Sequence, residues 1–225
     1  MVTINPRINT ISKELIEAYK LLSPATLGHI LDTGMESYIQ PLWKPIKLVG
    51  QAITIQTYPQ MTSAIAAAKD VAQPGDVLVI NRAQDNRHAY IGEISALRFI
   101  EAEIGGLVTD GPACDQRAIK DMKFPVFSNG TVAMTGKASG HGKDWGAVNV
   151  PVTVGGVIVH PGDMIFGDDD GVLVVSPAKA TEFLAFVQEK ESWEAWVRTK
   201  IGEGWTISQC YLEKPDPMVK MASKL

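Results

Sequence analysis

Apolar positions in ISKELIEAYKLL (11–22) recur at helical spacing, with Ser12 placed as the cap, and predict a helix. A second helix is expected over SPATLGHILDTG (23–34), capped by Ser23, with Pro24 in its first turn and Gly34 at its end. IKLVGQAITIQTYP (46–59) alternates and is β-rich, so it reads as two strands or as one strand bent at Gly50. Alanine-rich TSAIAAAKDVA is the next helix, closed by QPGD and followed by the apolar strand VLVINR. IGEISALRFIEAEIGG then reads as a helix that opens at a glycine and ends in a glycine pair.

Strand LVTDG, helix DQRAIKDM and strand PVFSN continue the alternation, so residues 76–128 predict parallel crossovers. From Val148 the texture changes to VNVPVTVGGVIVHPGDMIFGDDDGVLVVSP, short β segments between Gly and Pro turns that predict antiparallel pairing. AKATEFLAFVQEKESWEAWVRTKIGEG is a long closing helix, and EKPDPMVKMASKL reads as a loosely held tail. QPGDVLVI and HPGDMIFG echo each other, but two copies do not make a repeat architecture. No linker-like stretch divides the chain, so residues 1–225 predict a single α/β domain with a mixed sheet.

Composition narrows the function classes. A net charge of −4 without a basic cluster argues against nucleic acid, whose phosphates demand grouped Lys and Arg. The apolar runs are strand-length, which argues against a membrane span. Two cysteines outside any CxxC pair and a start without a signal-peptide core point to a reducing, cytoplasmic setting.

Candidate chemistry gathers at three places. GEIS, Gly92 to Ser95, opens a helix whose unpaired N–H groups suit a carboxylate or phosphate, although a helix start is also simply a helix start. Asp115 follows a buried-looking strand and is either a hard-cation ligand or the N-cap of the next helix. Cys114 beside it is a nucleophile, a soft-metal ligand or a small buried apolar residue; no histidine among 29, 88, 141 and 160 falls at zinc spacing. Asp168, Asp169 and Asp170 read as turn formers, and Trp193 and Trp196 as core or interface residues.

GEIS, LVTDGPACD (107–115), FPVF (124–127) and the 148–175 stretch, in this order and spacing, resemble the RraA-like group. That group holds the 4-hydroxy-4-methyl-2-oxoglutarate and 4-carboxy-4-hydroxy-2-oxoadipate aldolases and the regulator of ribonuclease activity A. The resemblance covers roughly residues 20–205. It implies an αββα sandwich of the swivelling β/β/α type, assembled as a homotrimer, alone or as a dimer of trimers, with active sites at subunit clefts.

The resemblance also implies roles. The amides of Gly92, Glu93, Ile94 and Ser95 would hold the carboxylate of a small 2-oxo acid, and Asp115 would anchor Mg²⁺ or Mn²⁺. Lys137 matches a lysine near the substrate, and Glu189 or Glu191 of the last helix would reach a neighbouring subunit's site. Cys114 stands where the aldolases carry arginine, leaving Arg117, Arg82 or Arg87 as substitutes. The implied activity is metal-dependent cleavage of a 2-oxo acid releasing pyruvate, or an oxaloacetate-type decarboxylation; the alternative is a non-catalytic, protein-binding regulator.

Overall fold

The computed structural model describes residues 1–136 and 145–221. Its architecture hangs on one ten-residue strand. The chain begins with β1 (Val2–Ile4), α1 (Lys13–Lys20), α2 (Pro24–Leu27) and β2 (Gln40–Pro41), and reaches β3 (Lys47–Gln56). A side chain on Gly50 would overlap the Gly75 carbonyl, so only glycine lets the two backbones approach there. The sequence break at Gly50 is thus real, but the chain runs through it as a single strand that changes partners.

The second half of β3 carries a parallel array. After α3 (Ser63–Val71) come β4 (Val77–Asn81), α4 (Glu93–Glu101), β5 (Gly106–Thr109), α5 (Gln116–Asp121) and β6 (Val126–Ser128). Residues Ala52–Gln56 pair in parallel with β4, which pairs with β5, and β5 with β6, as the alternation predicted. The chain then adds β7 (Gly146–Val148), β8 (Val152–Val154), β9 (Val157–Val159), β10 (Met164–Asp168) and β11 (Gly171–Val175). The first half of β3, Lys47–Gln51, pairs antiparallel with β10, which forms a hairpin with β11. β8 and β9 form a second hairpin, so the antiparallel reading of this stretch holds.

Three apolar clusters stack into four layers. Ile53, Leu78, Ile80, Leu107 and Ile119 join the parallel strands to α3, α4 and α5. Val77, Val79, Val108, Ile165 and Val174 join the other face to the hairpins. Tyr19, Leu27, Phe166 and Phe183 join the hairpin layer to α1, α2 and the last long helix, α6 (Pro177–Gly202). The expected αββα order results. Burying each such side chain contributes about 1.5–3 kcal/mol, which makes the three clusters the main support of the fold.

Several boundaries differ from the sequence reading, each for a tertiary reason. α2 stops at Leu27, and the Ser23 hydroxyl does not cap it. The Glu191 carboxylate on α6 does so instead, accepting the Ser23 N–H at 2.5 Å and the Thr26 hydroxyl at 3.2 Å. α4 ends at Glu101 rather than at the glycine pair, because Glu103 itself takes the left-handed conformation at φ 55°.

As far as Met221 the tail is tied down rather than loose; residues 222–225 lie outside the described residues. Two short helices, α7 (Ile207–Glu213) and α8 (Pro217–Met221), fold back on α6. Lys190 and Asp216, 5% and 8% exposed, form an ion pair of 2.7 Å between α6 and the start of α8. The Trp193 indole N–H donates to the Lys214 carbonyl at 2.8 Å. Trp193 is buried within its own chain, and Trp196 packs partly buried on the same cluster with Val197 and Cys210, so both are core residues.

Candidate active site

The loops leaving β4 and β5 place the site. Asp115 lies at the start of α5, with φ 54° and ψ 36°. That left-handed conformation costs a non-glycine residue on the order of 1–3 kcal/mol, and aspartate is among the few that tolerate it. Its side chain does not cap α5. It turns instead to the start of α4, where Oδ2 accepts the Glu93 N–H at 3.0 Å. Asp115 thus stands at the N-cap position of α5, as one of the two readings had it, but its carboxylate serves the helix start of a different crossover.

Gly92 makes this approach possible. A Cβ there would sit 2.5 Å from Asp115 Oδ2 and 2.7 Å from Cys114 Sγ. The glycine is required by contact rather than by its backbone angles, φ −140° and ψ −167°, which any residue adopts. Within α4 the Ile94 and Ser95 amides have no hydrogen-bond partner among the described residues, since Asp115 engages only the first amide. They are the open donors of the helix N-terminus, with the positive end of its dipole behind them.

Cys114 is half-buried, so the reading of it as a small buried apolar residue holds only in part. Burial, then the neighbouring Asp115 charge, pushes its thiol up to about 11. Its Sγ lies 3.5 Å from Asp115 Oδ2. A thiol in that state is neutral at pH 7, so it is neither an activated nucleophile nor a source of charge.

All six residues, Gly92 to Ser95 with Cys114 and Asp115, line one open cavity of about 680 Å³. Arg117 is exposed on α5 and does not line it. Arg87 is exposed as well. Arg82 is buried at 2%, pairs with Asp85 at 3.1 Å, and lies 3.6 Å from the centre of the Tyr90 ring. It stands behind the cavity wall that Tyr90 forms. Lys137 lies outside the described residues. Glu191 is occupied in capping α2, whereas Glu189 is exposed, 3.6 Å from Lys220.

Sequence reasoning missed two cations on the cavity wall, Lys69 of α3 and Arg98 of α4. Arg98 was findable, because it lies four residues after Ile94 and shares its helix face. Nothing local marks Lys69, which arrives through the packing of α3 beside α4.

Among the described residues, no three His, Cys, Asp or Glu side chains group as a metal cage. The aspartates of FGDDDG form the β10–β11 turn: Asp169 accepts the Ile46 N–H at 2.7 Å and Asp168 the Asp170 N–H at 3.0 Å. Asp115 remains. Its Oδ1 has no hydrogen-bond partner among the described residues, so one carboxylate oxygen is free for a cation. A single carboxylate suits Mg²⁺, which keeps several waters and accepts a chelating ligand.

The family model described as RraA-like, Aldolase/RraA, matches residues 17–174. The chain belongs to the RraA-like family. It is 32% identical over 203 residues, 89% of this chain and 95% of the relative, to a protein of Halalkalibacterium halodurans provisionally named 4-hydroxy-4-methyl-2-oxoglutarate aldolase. It is also similar to the crystal structure of Streptomyces coelicolor RraAS2, described as an unusual member of the RNase ES inhibitor RraA family. That likeness has a TM-score of 0.74 and 28% identity, covering 84% of this chain and 99% of that one. An uncharacterised protein of Pseudomonas syringae pv. tomato superposes with a TM-score of 0.78 and 25% identity, covering 93% of this chain and 96% of that one. The RraA-like match ends within β11, so α6, α7 and α8 lie beyond it. No helix of the described residues is long and apolar enough to cross a membrane.

Proposed function

We propose that this RraA-like protein is a divalent-metal-dependent carbon–carbon lyase acting on a 2-oxo acid. The observation that carries the reading is the meeting of the Asp115 carboxylate with the open amides of Ile94 and Ser95 in one cavity. The aldolase name of the H. halodurans relative supports it.

The residues divide the work by charge. Open amides at a helix start hold a carboxylate, here the C1 carboxylate of the substrate. Mg²⁺ or Mn²⁺ on Asp115, when bound, supplies Lewis-acid polarisation of the 2-oxo group. In retro-aldol cleavage the 4-hydroxyl loses its proton, the C3–C4 bond breaks, and its electron pair forms an enolate that takes a proton at C3 to give pyruvate. In decarboxylation of oxaloacetate the same electron pair comes from the bond to the departing CO₂. Cys114, neutral, adds no positive charge to that enolate. Lys69 and Arg98, lining the same cavity, are the cations placed to favour an anionic substrate.

A coupled assay for pyruvate tests the reading, using 4-hydroxy-4-methyl-2-oxoglutarate, 4-carboxy-4-hydroxy-2-oxoadipate and oxaloacetate, with Mg²⁺ and after EDTA, against enzyme-free blanks. Metal-dependent turnover of one of them is expected. Cys114→Arg should raise turnover of the two aldol substrates about ten- to a hundredfold. One preorganised donor is worth about a hundred- to a thousandfold, and a pocket shaped around a thiol returns only part of it. The neutral Cys114 favours a second reading, a binding protein like the inhibitor family named for RraAS2. Absence of both turnover and cation binding in parent and variant decides for it.

We further propose a homotrimer, alone or stacked in pairs, with the cleft shared between subunits. Ile94, which lines the cavity, and Leu97 and Ile100 stand 61%, 45% and 39% exposed along α4, an apolar stripe that a neighbour would cover. Of the two glutamates the resemblance offers, Glu189 is the exposed one, loosely paired with Lys220, and Glu191 is engaged at α2. Light scattering that returns a monomer at micromolar concentration overturns this assembly.

A further inference from the structure

A second cavity, of about 440 Å³, is walled by the same three loops as the first. Asp110 and Pro112 line it where Cys114 and Asp115 line the other, Asn86 where Tyr90 does, and Thr131 where Thr135 does. Asp110 directly follows β5 and Asn129 directly follows β6, so the cavity lies at the carboxyl ends of parallel strands, where open α/β sheets collect ligands.

Its polar groups are held in place. Asp110 Oδ1 accepts the Arg82 backbone N–H at 2.5 Å, and the Asn129 amide donates to Asn86 Oδ1 at 2.6 Å, tying the three loops together. Ala83 and Gln84 are both left-handed, at φ 50° and 62°, a strain that only a well-supported loop retains. What remains is a set of acceptors. Asp110 Oδ2 and Asn129 Oδ1 have no hydrogen-bond partner among the described residues.

Among the described residues, no Lys, Arg or His lines this cavity. The nearby Arg82 guanidinium is committed to Asp85 and to the Tyr90 ring. The Arg82 charge reaches Asp110 but is shared with Asp85. An anion would still meet the Asp110 charge at the cavity surface, and a hydrocarbon would leave the acceptors unsatisfied. Tyr38, 46% exposed, also lines the cavity and brings an aromatic ring to which a cation can be attracted.

We propose that this cavity binds a small organic ammonium ion through the Asp110 carboxylate and the Asn129 amide oxygen, with Tyr38 beside it. The site does not depend on the lyase reading. Burial holds the Asp110 carboxyl up at about 6, so it is charged at pH 7.5 and an ammonium ion beside it would favour that charged form.

The test is a titration of the whole protein with 1,4-diaminobutane at pH 7.5 and constant ionic strength, followed by calorimetry and amide NMR. Glycerol and acetate serve as the neutral and anionic comparisons. Saturable binding of the diamine is expected, with shifts at Asn129 and Gly111, and at least tenfold weakening in Asp110→Asn. That variant keeps an oxygen for the Arg82 amide, and Asn129→Leu provides an independent second loss. Asp115→Asn, in the other cavity, should bind as the parent does. Absence of saturable binding, preference for glycerol or acetate, shifts confined to the first cavity, or undiminished affinity in both variants overturns the proposal.

Discussion

Asp115 Oδ2 and the Glu93 amide, 3.0 Å apart, join two crossovers that are 22 residues apart in the chain. This bond sets which groups of the candidate site are already satisfied and which are open. One carboxylate oxygen is spent on the helix start, one is free, and the next two amides of α4 remain available.

Asp115→Asn should fold within about 1 kcal/mol of the parent, since a carbonyl oxygen can still accept the Glu93 N–H. It should lose divalent-cation binding and metal-dependent turnover together. Calorimetric titration with Mn²⁺ and urea unfolding check the two halves. Parent-like Mn²⁺ affinity in the variant removes Asp115 from the metal role.

Gly92→Ala places a methyl group against Asp115 Oδ2 and Cys114 Sγ, at 2.5 and 2.7 Å. One of them must shift. A loss of about 1–3 kcal/mol in stability is expected, typical of overpacking. Thermal unfolding measures it, and a crystal structure should show the Asp115 carboxylate displaced from the Glu93 amide.

Cys114 should react slowly with iodoacetamide at pH 8, about a hundredfold or more below an ordinary thiol of pKa near 8.5. Its rate should climb toward pH 11, because burial and Asp115 hold the thiol at about 11. Asp115→Asn, which removes the second of those causes, should shift the profile to lower pH. Cys210, fully buried, should not label in the native protein. Rapid labelling of Cys114 at pH 8 contradicts the neutral-thiol account.

Asp110→Asn should stabilise the protein in a pH-dependent way. Burial raises the Asp110 carboxyl from 3.8 to about 6 in the folded state. Its contribution therefore favours folding below about pH 4 and is lost as pH rises through 6. The variant should exceed the parent by about 1–2 kcal/mol at pH 7.5 and match it near pH 4, as read by urea unfolding. An equal difference at both pH values sinks the argument.

The order of elements was legible in the sequence because it is written in local periodicity. Alternating strands and helices over 76–128 give parallel crossovers for reasons of chain connection, and Gly50 marks a close backbone approach wherever it falls. The site positions 92–95 and 114–115 were legible as motifs for the same local reason. Boundaries were less so. Nothing near Ser23 announces that Glu191, on a helix 168 residues away, will take over its cap. Nothing in EKPDPM shows that Asp216 will meet Lys190 and pin the tail.

By itself, then, the sequence determined most of the helices and strands between α1 and α6, that parallel and antiparallel pairing are mixed, and which residues could bear charge or bind a cation. Backbone propensity and apolar spacing decide those things within a dozen residues. Only the tertiary structure decided how the charges are used. Asp115 faces α4 rather than α5, Arg117 is left outside the cavity, Arg82 is buried behind Tyr90, and Lys69 and Arg98 are brought to its wall. Those outcomes depend on the packing of whole layers, in which a side chain's neighbours come from segments that share no local signal with it.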